Sequence, residues 1–271
     1  MKKNEIMEKK KLSDGSYLFK IYNPEVAKNS YAGNFVIVIA KDGSERIPLT
    51  IMEYTDEWIS IVIQPIGFST KEICFLEEKD CFSGIMGPLG KKIENKKYGT
   101  ILFVAGGIGI APVIPQMMEF KKTDNKIILI HGARDGEHII LEKESKKYTD
   151  NYIICTDDGS MGKKGLVTNA MKELIESGEK IDHIVTIGPL IMMKFVSDLS
   201  KNYSIPTTAS LNTIMLDGTG MCGSCRVEYD GEVKFACVDG PDMDAHKINF
   251  DVLLRRNARF KSLELVNGEK K

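Results

Sequence analysis

Three of the six cysteines in this chain stand close together with the spacing of metal ligands. Two residues separate Cys222 from Cys225, and eleven separate Cys225 from Cys237. Asp217 precedes Cys222, with four residues between them. This is the C-x4-C-x2-C…C spacing of a 2Fe–2S site in which an aspartate replaces the first cysteine. The pattern therefore predicts a cluster held by Asp217, Cys222, Cys225 and Cys237.

The loop around these residues is rich in glycine, and its ligand assignment has two alternatives. Gly218, Gly220 and Gly223 supply backbone freedom and room for amide groups to approach the cluster sulfurs. In the first alternative, the three cysteines bind zinc together with His246 or Asp217. In the second, Asp217 only forms an Asp-Gly turn, and a water or another side chain is the fourth ligand.

The other three cysteines and the amino terminus indicate a reducing compartment. Cys74, Cys81 and Cys155 occur singly in apolar surroundings, which predicts buried free thiols. No apolar run of signal-peptide length follows the basic amino terminus, and the longest apolar stretch, residues 101–114, is too short and too rich in glycine to span a bilayer. We therefore expect a cytoplasmic protein with reduced cysteines, which favours a metal site over disulfides.

The composition is that of an ordinary globular protein. With 271 residues, of which 42% are hydrophobic, the chain can fill the cores of two domains. The formal net charge of -1 gives no overall field that would recruit nucleic acid or an anionic membrane.

From about residue 96, apolar runs with strand character alternate with helical patterns. This alternation is typical of a doubly wound parallel sheet. The predicted strands are Thr100–Ala105, Lys126–His131, Tyr152–Cys155, His183–Ile187 and Ile205–Ala209, and the predicted helices include Pro112–Phe120, Val167–Ser177 and Ile191–Lys201. Five such strands make one compact nucleotide-binding domain.

The first of these strands runs into a glycine-rich turn that could bind a nucleotide. Gly106, Gly107 and Gly109 let the backbone approach a pyrophosphate at the amino end of the next helix, which Ala111 and Pro112 begin. The turn lacks the dinucleotide fingerprint G-x-G-x-x-G. Its alternative explanation is close packing of the helix on the strand.

The loops after the other strands add further candidate residues. Asp157 and Asp158 follow the third strand, and Gly188 and Pro189 follow the fourth. Open sheets bind ligands at these carboxyl ends of strands. The two acids would repel a 2′-phosphate, which favours NAD over NADP, whereas Arg134 after the second strand favours the reverse. We give more weight to the acids and expect NAD(H).

The amino-terminal part has short strand patterns separated by turns, and no long helical pattern interrupts them. The clearest strands are Tyr17–Tyr22, Phe35–Ala40 and Glu57–Gln64. A small antiparallel barrel is the simplest interpretation. We expect the sequence Gly87-Pro88-Leu89-Gly90 to close it with a tight turn before a linker.

Two places in the barrel are candidates for binding an anionic, planar cofactor. In the first, a cation and a hydroxyl flank a proline that lacks a backbone donor; its residues are Arg46, Pro48, Leu49 and Thr50. The second follows the strand that ends at Ile63 and Gln64, and there Gly67, Ser69 and Thr70 could hold a phosphate at the start of a helix. The alternatives are an ordinary surface role for Arg46 and a plain N-cap for Ser69 and Thr70.

These patterns predict three regions in the chain. Residues 1–95 are expected to form an antiparallel β-barrel domain with a site for an anionic, planar cofactor, and residues 96–210 a five-stranded parallel α/β domain that binds NAD. Residues 211–271 form a small iron–sulfur module and a C-terminal tail.

The order of these regions resembles that of the ferredoxin–NADP reductase superfamily, over nearly the whole chain. More narrowly, seven motifs are similar to those of the small subunits of NADH-dependent reduced ferredoxin:NADP oxidoreductases, also described as sulfide dehydrogenase subunits. They are RIPLT, GPLG, AGGIGIAP, GAR, TDDGS, IGP and DGTGMCGSCRV…FACVDGP. The electron-transfer subunit of heteromeric dihydroorotate dehydrogenase is a close relative of that group.

The resemblance implies FAD on the barrel, NAD(H) on the second domain and the 2Fe–2S cluster in the C-terminal part. It matches Arg46 to Thr50 with a flavin-binding motif, although Arg46 stands one position early, and it matches Ser69 and Thr70 with the pyrophosphate-binding pair. The dihydroorotate type carries four cysteines. Asp217 at the first position therefore points to the ferredoxin:NADP oxidoreductase branch.

The implied function is electron transfer, with no catalytic acid–base residues. Because NADH gives two electrons together and a 2Fe–2S centre accepts one, FAD is the converter between them. We interpret His131, His183 and His246 as packing or surface residues.

The chain has no second cysteine cluster and no obvious site for a distinct organic substrate, so we expect a larger flavin and iron–sulfur partner subunit. Ferredoxin and NADP would be reached through that subunit, and the complex could be electron-bifurcating. Residues Asn249–Phe260, with Arg255, Arg256 and Arg259, are expected to help dock it, and the alternative is a surface helix with solvated arginines. Two alternative functions stay open, namely an electron-transfer subunit for dihydroorotate or sulfide oxidation, and a zinc-stabilised nucleotide-binding regulatory protein.

Overall fold

The computed structural model describes residues 1–260, and these residues form two compact units. The first unit contains Met1–Lys92, Thr213–Gly240 and the segment that begins at Asn249. The second unit contains Ile93–Asn212 and Pro241–Ile248. The end of the predicted C-terminal tail, residues 261–271, lies outside the described residues.

The amino-terminal part of the first unit is an antiparallel, barrel-like pair of sheets. Their orders are β1-β2-β6-β5 and β4-β3-β7. The elements are β1 Glu5–Ser13, β2 Ser16–Tyr22, α1 Pro24–Ala27, β3 Phe35–Ile39, β4 Arg46–Thr50, β5 Glu53–Tyr54, β6 Trp58–Ile63, α2 Phe68–Cys74 and β7 Gly84–Leu89. The predicted antiparallel barrel is confirmed.

The sheets of the first unit enclose one apolar core. Phe19 of β2, Val36 of β3 and Ile61 of β6 are buried in it. The alternating isoleucines of β6 face this core, since Ile59 and Ile63 are also fully buried. Burial of large side chains of this kind contributes about 1.5–3 kcal/mol each.

The second unit begins with a run of alternating strands and helices. They are β8 Thr100–Gly106, α3 Ile110–Lys121, β9 Lys126–Ala133, α4 Glu142–Lys146, β10 Asn151–Thr156, β11 Lys163–Lys164, α5 Val167–Glu176, β12 His183–Ile187, α6 Leu190–Asn202 and β13 Thr207–Ser210. A single 3-10 turn, Gly107–Gly109, joins β8 to α3.

The last elements belong to the two units in turn. They are β14 Arg226–Tyr229, β15 Glu232–Phe235, α7 Ala236–Asp239, β16 Asp242–Asp244 and α8 Phe250–Asn257. β14 and β15 pair as an antiparallel hairpin in the first unit, whereas β16 pairs with β13 in the second.

The sheet of the second unit has the order β11-β10-β9-β8-β12-β13-β16. All five predicted strands are present and parallel, so the predicted parallel sheet is confirmed. Two short strands extend it, since β11 adds a parallel edge and β16 an antiparallel one. The direction of strand succession reverses between β8 and β12, which places the loops after these two strands where such sheets bind ligands.

The structure corrects the predicted turn at Gly87-Pro88-Leu89-Gly90. Gly87, Pro88 and Leu89 lie inside β7, which pairs with β3 across a register shift, and the Gly87–Pro88 peptide is cis. The shifted register leaves Pro88 at an irregular position of the ladder, where its missing N–H is tolerated. Among the helices of residues 1–260, none combines the length and the apolar character that a bilayer crossing requires.

Two histidines are buried in the second unit, as the sequence indicated for packing residues. His131 on β9 contacts the Tyr152 hydroxyl through Nδ1 at 2.9 Å, and His183 on β12 stacks on Tyr98. Burial lowers the pKa of His131 and of His183 to about 4. Asp242 shifts the other way, because burial raises its pKa to about 6.

These shifts predict how stability depends on pH. Between pH 6.5, the ordinary histidine value, and about pH 4, the unfolded chain binds protons that neutral His131 and His183 do not, so stability falls with falling pH. Each histidine should contribute a loss on the order of 1–3 kcal/mol. Asp242 partly opposes this loss, because its folded form takes up a proton near pH 6.

The measurement is denaturant unfolding of the wild type and of His131→Gln at intervals from pH 7.5 to 4.5. The variant should show a flatter pH profile whatever its absolute stability, and Asp242→Asn should show a steeper one. Parallel profiles for all three proteins would contradict the prediction.

Candidate cofactor-binding sites

A β-hairpin brings two of the predicted cluster ligands together. Cys225 immediately precedes β14, and Cys237 is the second residue of α7, directly after β15. The two-residue turn Asp230-Gly231 has positive φ at both positions, which is the type I′ geometry that closes a tight hairpin. Its register pairs Arg226 with Phe235 and leaves the Cys225 and Cys237 sulfurs 3.1 Å apart.

The cysteine pair is buried and is not oxidised. A sulfur separation of 3.1 Å is well beyond the roughly 2.05 Å of a disulfide. It is also somewhat shorter than the about 3.8 Å that two thiolates take on one tetrahedral metal with metal–sulfur bonds near 2.3 Å. Burial, and then the adjacent Cys225 thiol, raise the pKa of Cys237 to about 12. Cys237 is therefore a protonated thiol that a bound metal would deprotonate.

Cys222 stands in a different environment on the exposed part of the loop. Its sulfur lies 3.1 Å from the Ser224 hydroxyl. Hydrogen bonds from the Ser224 hydroxyl and then from the Ser224 amide, with smaller contributions from the amides of Asp217 and Leu216, lower the pKa of Cys222. Such amides are the donors that stabilise cluster sulfurs.

Asp217 takes part in a turn. Its carboxylate accepts hydrogen bonds from the Thr219 amide at 3.0 Å and from the Thr219 hydroxyl. These bonds are the largest causes that lower the pKa of Asp217. This is the turn of the second alternative interpretation, and iron ligation by Asp217 stays a prediction.

The donors of this loop suit an iron–sulfur cluster, although within residues 1–260 no three of them converge as a ready set of ligands. Three thiols, one carboxylate and the amides beside the sulfurs of Cys222 and Cys237 are the chemistry that such a cluster requires. Gly218 has φ +81°, and a Cβ there would lie 2.5 Å from Leu89. The positive φ favours glycine here, and a side chain would in addition crowd Leu89 of β7.

Arginine side chains surround the same loop, a feature the sequence patterns had not assigned to the cluster. Arg226 Nη1 donates to the Gly223 carbonyl at 3.4 Å, and Arg256 Nη2 donates to the Ser224 carbonyl at 3.3 Å. Burial, and then repulsion from Arg226 and Arg259, lower the pKa of Arg256. Arg226 directly follows the predicted ligand Cys225, so the sequence could have assigned it to the cluster loop. Arg256 is distant in sequence, and no local pattern near Cys225 predicts its contact with the loop.

Within residues 1–260, neither the remaining cysteines nor His246 forms part of a group of three metal-binding side chains. Cys155 is buried and Cys74 is half-buried, but Cys81 is exposed, so the prediction of a buried thiol was wrong for Cys81. His246 belongs to the second unit, where its Nε2 lies 2.9 Å from the Ser200 hydroxyl.

The predicted flavin segments of the first unit contact each other. The motif from Arg46 to Thr50 is strand β4, at the edge of its sheet, where Pro48 is tolerated. Gly67 caps helix α2, whose second residue Ser69 donates from its hydroxyl to the carboxylate of Glu45, next to Arg46. The two segments are therefore joined at their ends.

The hydroxyls of this helix start are engaged with protein atoms. The Thr70 hydroxyl accepts from the Gly67 amide at 3.0 Å, which is an N-cap role. Ser69 would have to exchange Glu45 for a phosphate in order to bind a pyrophosphate. The first helical N–H groups have no intrahelical acceptor, so the donor set fits a phosphate after that exchange. Ile63 is buried at the end of β6, and Gln64 follows it.

The glycines of the second unit hold two loops against each other at the point of strand reversal. A Cβ on Gly109 would lie 2.4 Å from the Ile187 carbonyl oxygen, and one on Gly188 would lie 3.0 Å from the Gly106 amide. These positions serve close packing. Gly107 differs, because its φ is +54° and no atom lies within 4 Å of its Cβ position. Its backbone therefore presents an open face, which is what a bound pyrophosphate needs.

The other candidate residues of the second unit lie along the same carboxyl edge. Ala111 and Pro112 are in the first turn of α3, and Pro189 precedes α6. Arg134 follows β9, and its carbonyl accepts from the amide of Asp158 at 3.3 Å. The Asp158 carboxylate accepts from Ser160, so Asp157 is the acid whose carboxylate is not held in this turn.

Known proteins share the two segments that carry these candidate sites. Residues 212–249 match the model of the iron–sulfur cluster binding domain of dihydroorotate dehydrogenase B, and residues 103–198 match that of the oxidoreductase NAD-binding domain. A homologue of the dihydroorotate dehydrogenase B (NAD+) electron-transfer subunit from Thermotoga maritima is 39% identical over 98% of this chain and 95% of its own length. The chain belongs to the family of these electron-transfer subunits.

Two further similarities extend over nearly the full length. A protein of unassigned function from Clostridium beijerinckii is 44% identical over 96% of this chain and 91% of its own. A chain in the structure of the NADH-dependent reduced ferredoxin–NADP oxidoreductase, described for flavin-based electron bifurcation, is 38% identical with a TM-score of 0.94 and covers 100% of this chain and 98% of its own. The predicted resemblance and the NAD(H) and iron–sulfur cofactors are confirmed, and FAD agrees with this reductase fold.

The glycines at the strand reversal provide a test that separates packing from nucleotide binding. Gly109→Ala should lower stability by about 1–3 kcal/mol, because its Cβ meets a backbone carbonyl that cannot move alone. Gly107→Asn should leave stability within about 1 kcal/mol, since asparagine tolerates positive φ and its Cβ would meet no atom within 4 Å. It should nevertheless weaken NADH binding, because its side chain occupies the open face.

Thermal unfolding measures the stability of both variants, and NADH titration measures their nucleotide affinity. Normal NADH affinity in a well-folded Gly107→Asn protein would show that the nucleotide does not use this face.

Proposed function

We propose that this chain is the small subunit of an NADH-dependent reduced ferredoxin:NADP oxidoreductase and moves electrons between NAD(H), FAD, a 2Fe–2S cluster and a larger partner subunit. The observation that carries this proposal is the full-length match, with a TM-score of 0.94 at 38% identity, to a chain of such an enzyme. The order Asp217, Cys222, Cys225, Cys237 in the iron–sulfur loop supports the same branch.

The first unit suits a short route between flavin and cluster. Strand β4, the proposed flavin-binding strand, begins at Arg46, whose Nη1 donates to the Leu216 carbonyl at 3.5 Å. Leu216 directly precedes Asp217, and the Arg46 charge also helps to lower the pKa of that aspartate. The proposed flavin strand and the cluster loop are thus neighbours within one unit.

The residues of the chain bind and orient, and the cofactors supply the chemistry. When bound, they provide hydride transfer between the nicotinamide C4 and the flavin N5 and one-electron transfer to iron. Gly107 would hold the NAD pyrophosphate near the amino end of α3. Ser69, Thr70 and the β4 residues would hold the flavin nucleotide, and the buried cysteine pair would keep water from one side of the cluster.

A larger flavin and iron–sulfur subunit would accept the electrons and reach ferredoxin and NADP. In the proposed complex, residues Asn249–Phe260 help to dock this subunit. Arg255 is exposed on α8 and available for such a contact, whereas Arg256 is turned to the cluster loop. We infer a cytoplasmic location from the free cysteines, because thiols stay reduced in that compartment.

A second candidate is the electron-transfer subunit of a dihydroorotate dehydrogenase. The iron–sulfur domain model and the name of the Thermotoga relative favour it. Asp217 in place of the first cysteine counts against it. The identity of the co-purified large subunit separates the two functions, and a sulfide-oxidising partner would indicate the related alternative. A zinc-stabilised regulatory protein would contain zinc and no flavin.

The cofactor content gives a direct test of the proposed function. Protein purified without oxygen should contain about one FAD, two irons and two acid-labile sulfides per chain. Cys225→Ser or Cys237→Ser should abolish most of the iron, because each removes a thiolate of the buried pair. Cys74→Ser is the matched control, since Cys74 is a half-buried free thiol of the same unit.

Iron analysis and absorption spectra of these four proteins decide the outcome. Stoichiometric zinc with no iron and no flavin in the wild type would refute the function.

The acidic loop after β10 predicts a preference for NADH over NADPH. Asp157→Asn should improve NADPH use relative to NADH by about three- to tenfold, because it removes one repulsive charge near the ribose in a solvent-exposed site. The comparison is kcat/KM for both nucleotides with an artificial electron acceptor. Asp124→Asn is the charge-matched control, since Asp124 lies before β9, at the opposite edge of the sheet. Equal effects of both substitutions would exclude a local role for Asp157.

A further inference from the structure

Helix α8 is fixed to the hairpin that carries two of the proposed cluster ligands. The Asn249 amide donates to the Glu228 carbonyl at 2.9 Å, and its side-chain Nδ2 donates to the Glu228 carboxylate at 2.9 Å. Asn249 also caps α8 by accepting from the Val252 amide, and Leu253 is buried. The position of every later residue of α8 is therefore set relative to β14.

This attachment places Arg256 on the cluster loop. Arg256 Nη2 donates to the carbonyl of Ser224, and Arg226 Nη1 donates to the carbonyl of Gly223. Gly223 and Ser224 are the two residues between Cys222 and Cys225. Each of the two carbonyls in the central bridge of the C-x2-C motif thus has its own guanidinium group.

The two guanidinium groups bind adjacent carbonyls of the same loop. Burial, and then repulsion from Arg226 and Arg259, disfavour the charged form of Arg256, whereas the nearby Cys225 favours it. Two cations on adjacent carbonyls favour an anion beside them. A 2Fe–2S cluster with three thiolates and one carboxylate is such an anion, because its net charge is negative when oxidised and becomes more negative by one on reduction.

We propose that Arg226 and Arg256 form a guanidinium pair that holds the Gly223–Ser224 bridge and raises the midpoint potential of the cluster by stabilising its reduced form. The proposal rests on the iron–sulfur site of the proposed function. It assigns positioning and tuning roles to residues that are not ligands. Net charge and second-sphere donors are the levers by which a protein sets such potentials.

The substitutions separate charge from hydrogen bonding. Arg256→Gln removes the charge and keeps a donor, whereas Arg256→Lys keeps the charge and loses the planar fork. Lys234→Gln is the matched control, because Lys234 is on the same hairpin, carries the same charge and is paired with Glu232 away from the loop. The holoprotein, purified without oxygen, is titrated with dithionite while the electron paramagnetic resonance signal of the reduced cluster is recorded.

Arg256→Gln should lower the ratio of reduced to oxidised cluster, at a fixed solution potential, by about three- to tenfold, which corresponds to a midpoint potential lower by about 30–60 mV. Arg226→Gln should act in the same direction, and Arg256→Lys and Lys234→Gln should stay near the wild-type potential. Arg256→Gln could lose its iron, and its potential could then not be measured. In that case, full iron content and a wild-type potential in Arg256→Lys would support the proposal.

Wild-type potentials in both glutamine variants, with full iron content, would overturn the proposal. A shift of the same size in Arg256→Lys would overturn the assignment to charge. Failure of the proposed function is distinct from both outcomes, because the wild-type protein would then show no iron–sulfur signal.

Discussion

The antiparallel pairing of β14 with β15 is the constraint on which the iron–sulfur site depends. The Asp230-Gly231 turn fixes the hairpin register, and that register brings Cys225 and Cys237 together although eleven residues separate them. Helix α8 is then anchored on β14 through Asn249 and Glu228. A slip of one residue in the hairpin would turn the flanking side chains to the opposite face. It would therefore separate the cysteine pair and also withdraw Arg256 from the loop.

The second unit depends on a comparable constraint, which is backbone packing at the reversal of strand order. Gly109 brings the loops after β8 and β12 to a distance that excludes a Cβ, and Gly188 leaves little room for one. This packing leaves Gly107 as the residue whose backbone faces open space. One glycine motif thus contains positions in different surroundings: Gly109 serves close packing, whereas Gly107 has the open face that the proposed nucleotide site would use.

The strands and helices of the chain were largely predictable, whereas their side-chain partners were not. Period-two alternation in β6 and the β–α alternation after residue 96 are local signals, and both reported the fold correctly. The turn predicted at Gly87 and Pro88 was wrong, because a glycine–proline pair is typical of turns. These residues become part of a strand only through the pairing of β7 with β3. Asp230-Gly231 was a local hairpin signal that could have been used. The contacts of Ser69 with Glu45 and of Arg256 with Ser224 join residues distant in sequence, so no local pattern contains them.

Asp217 has two candidate roles, as the acceptor of a turn and as an iron ligand, and the two roles place different demands on its carboxylate. In the turn, Asp217 accepts from Thr219, and these bonds are satisfied without a metal. An aspartate whose pKa is already lowered by such donors is an ionised and available ligand, and because both Thr219 bonds end on Oδ2, Oδ1 could bind iron while they are kept. A thiolate at this position would gain less from amide and hydroxyl donors, because sulfur is the weaker acceptor. The turn thus favours an aspartate whether or not it binds iron, and a carboxylate ligand gained in this way would be the most labile corner of the cluster.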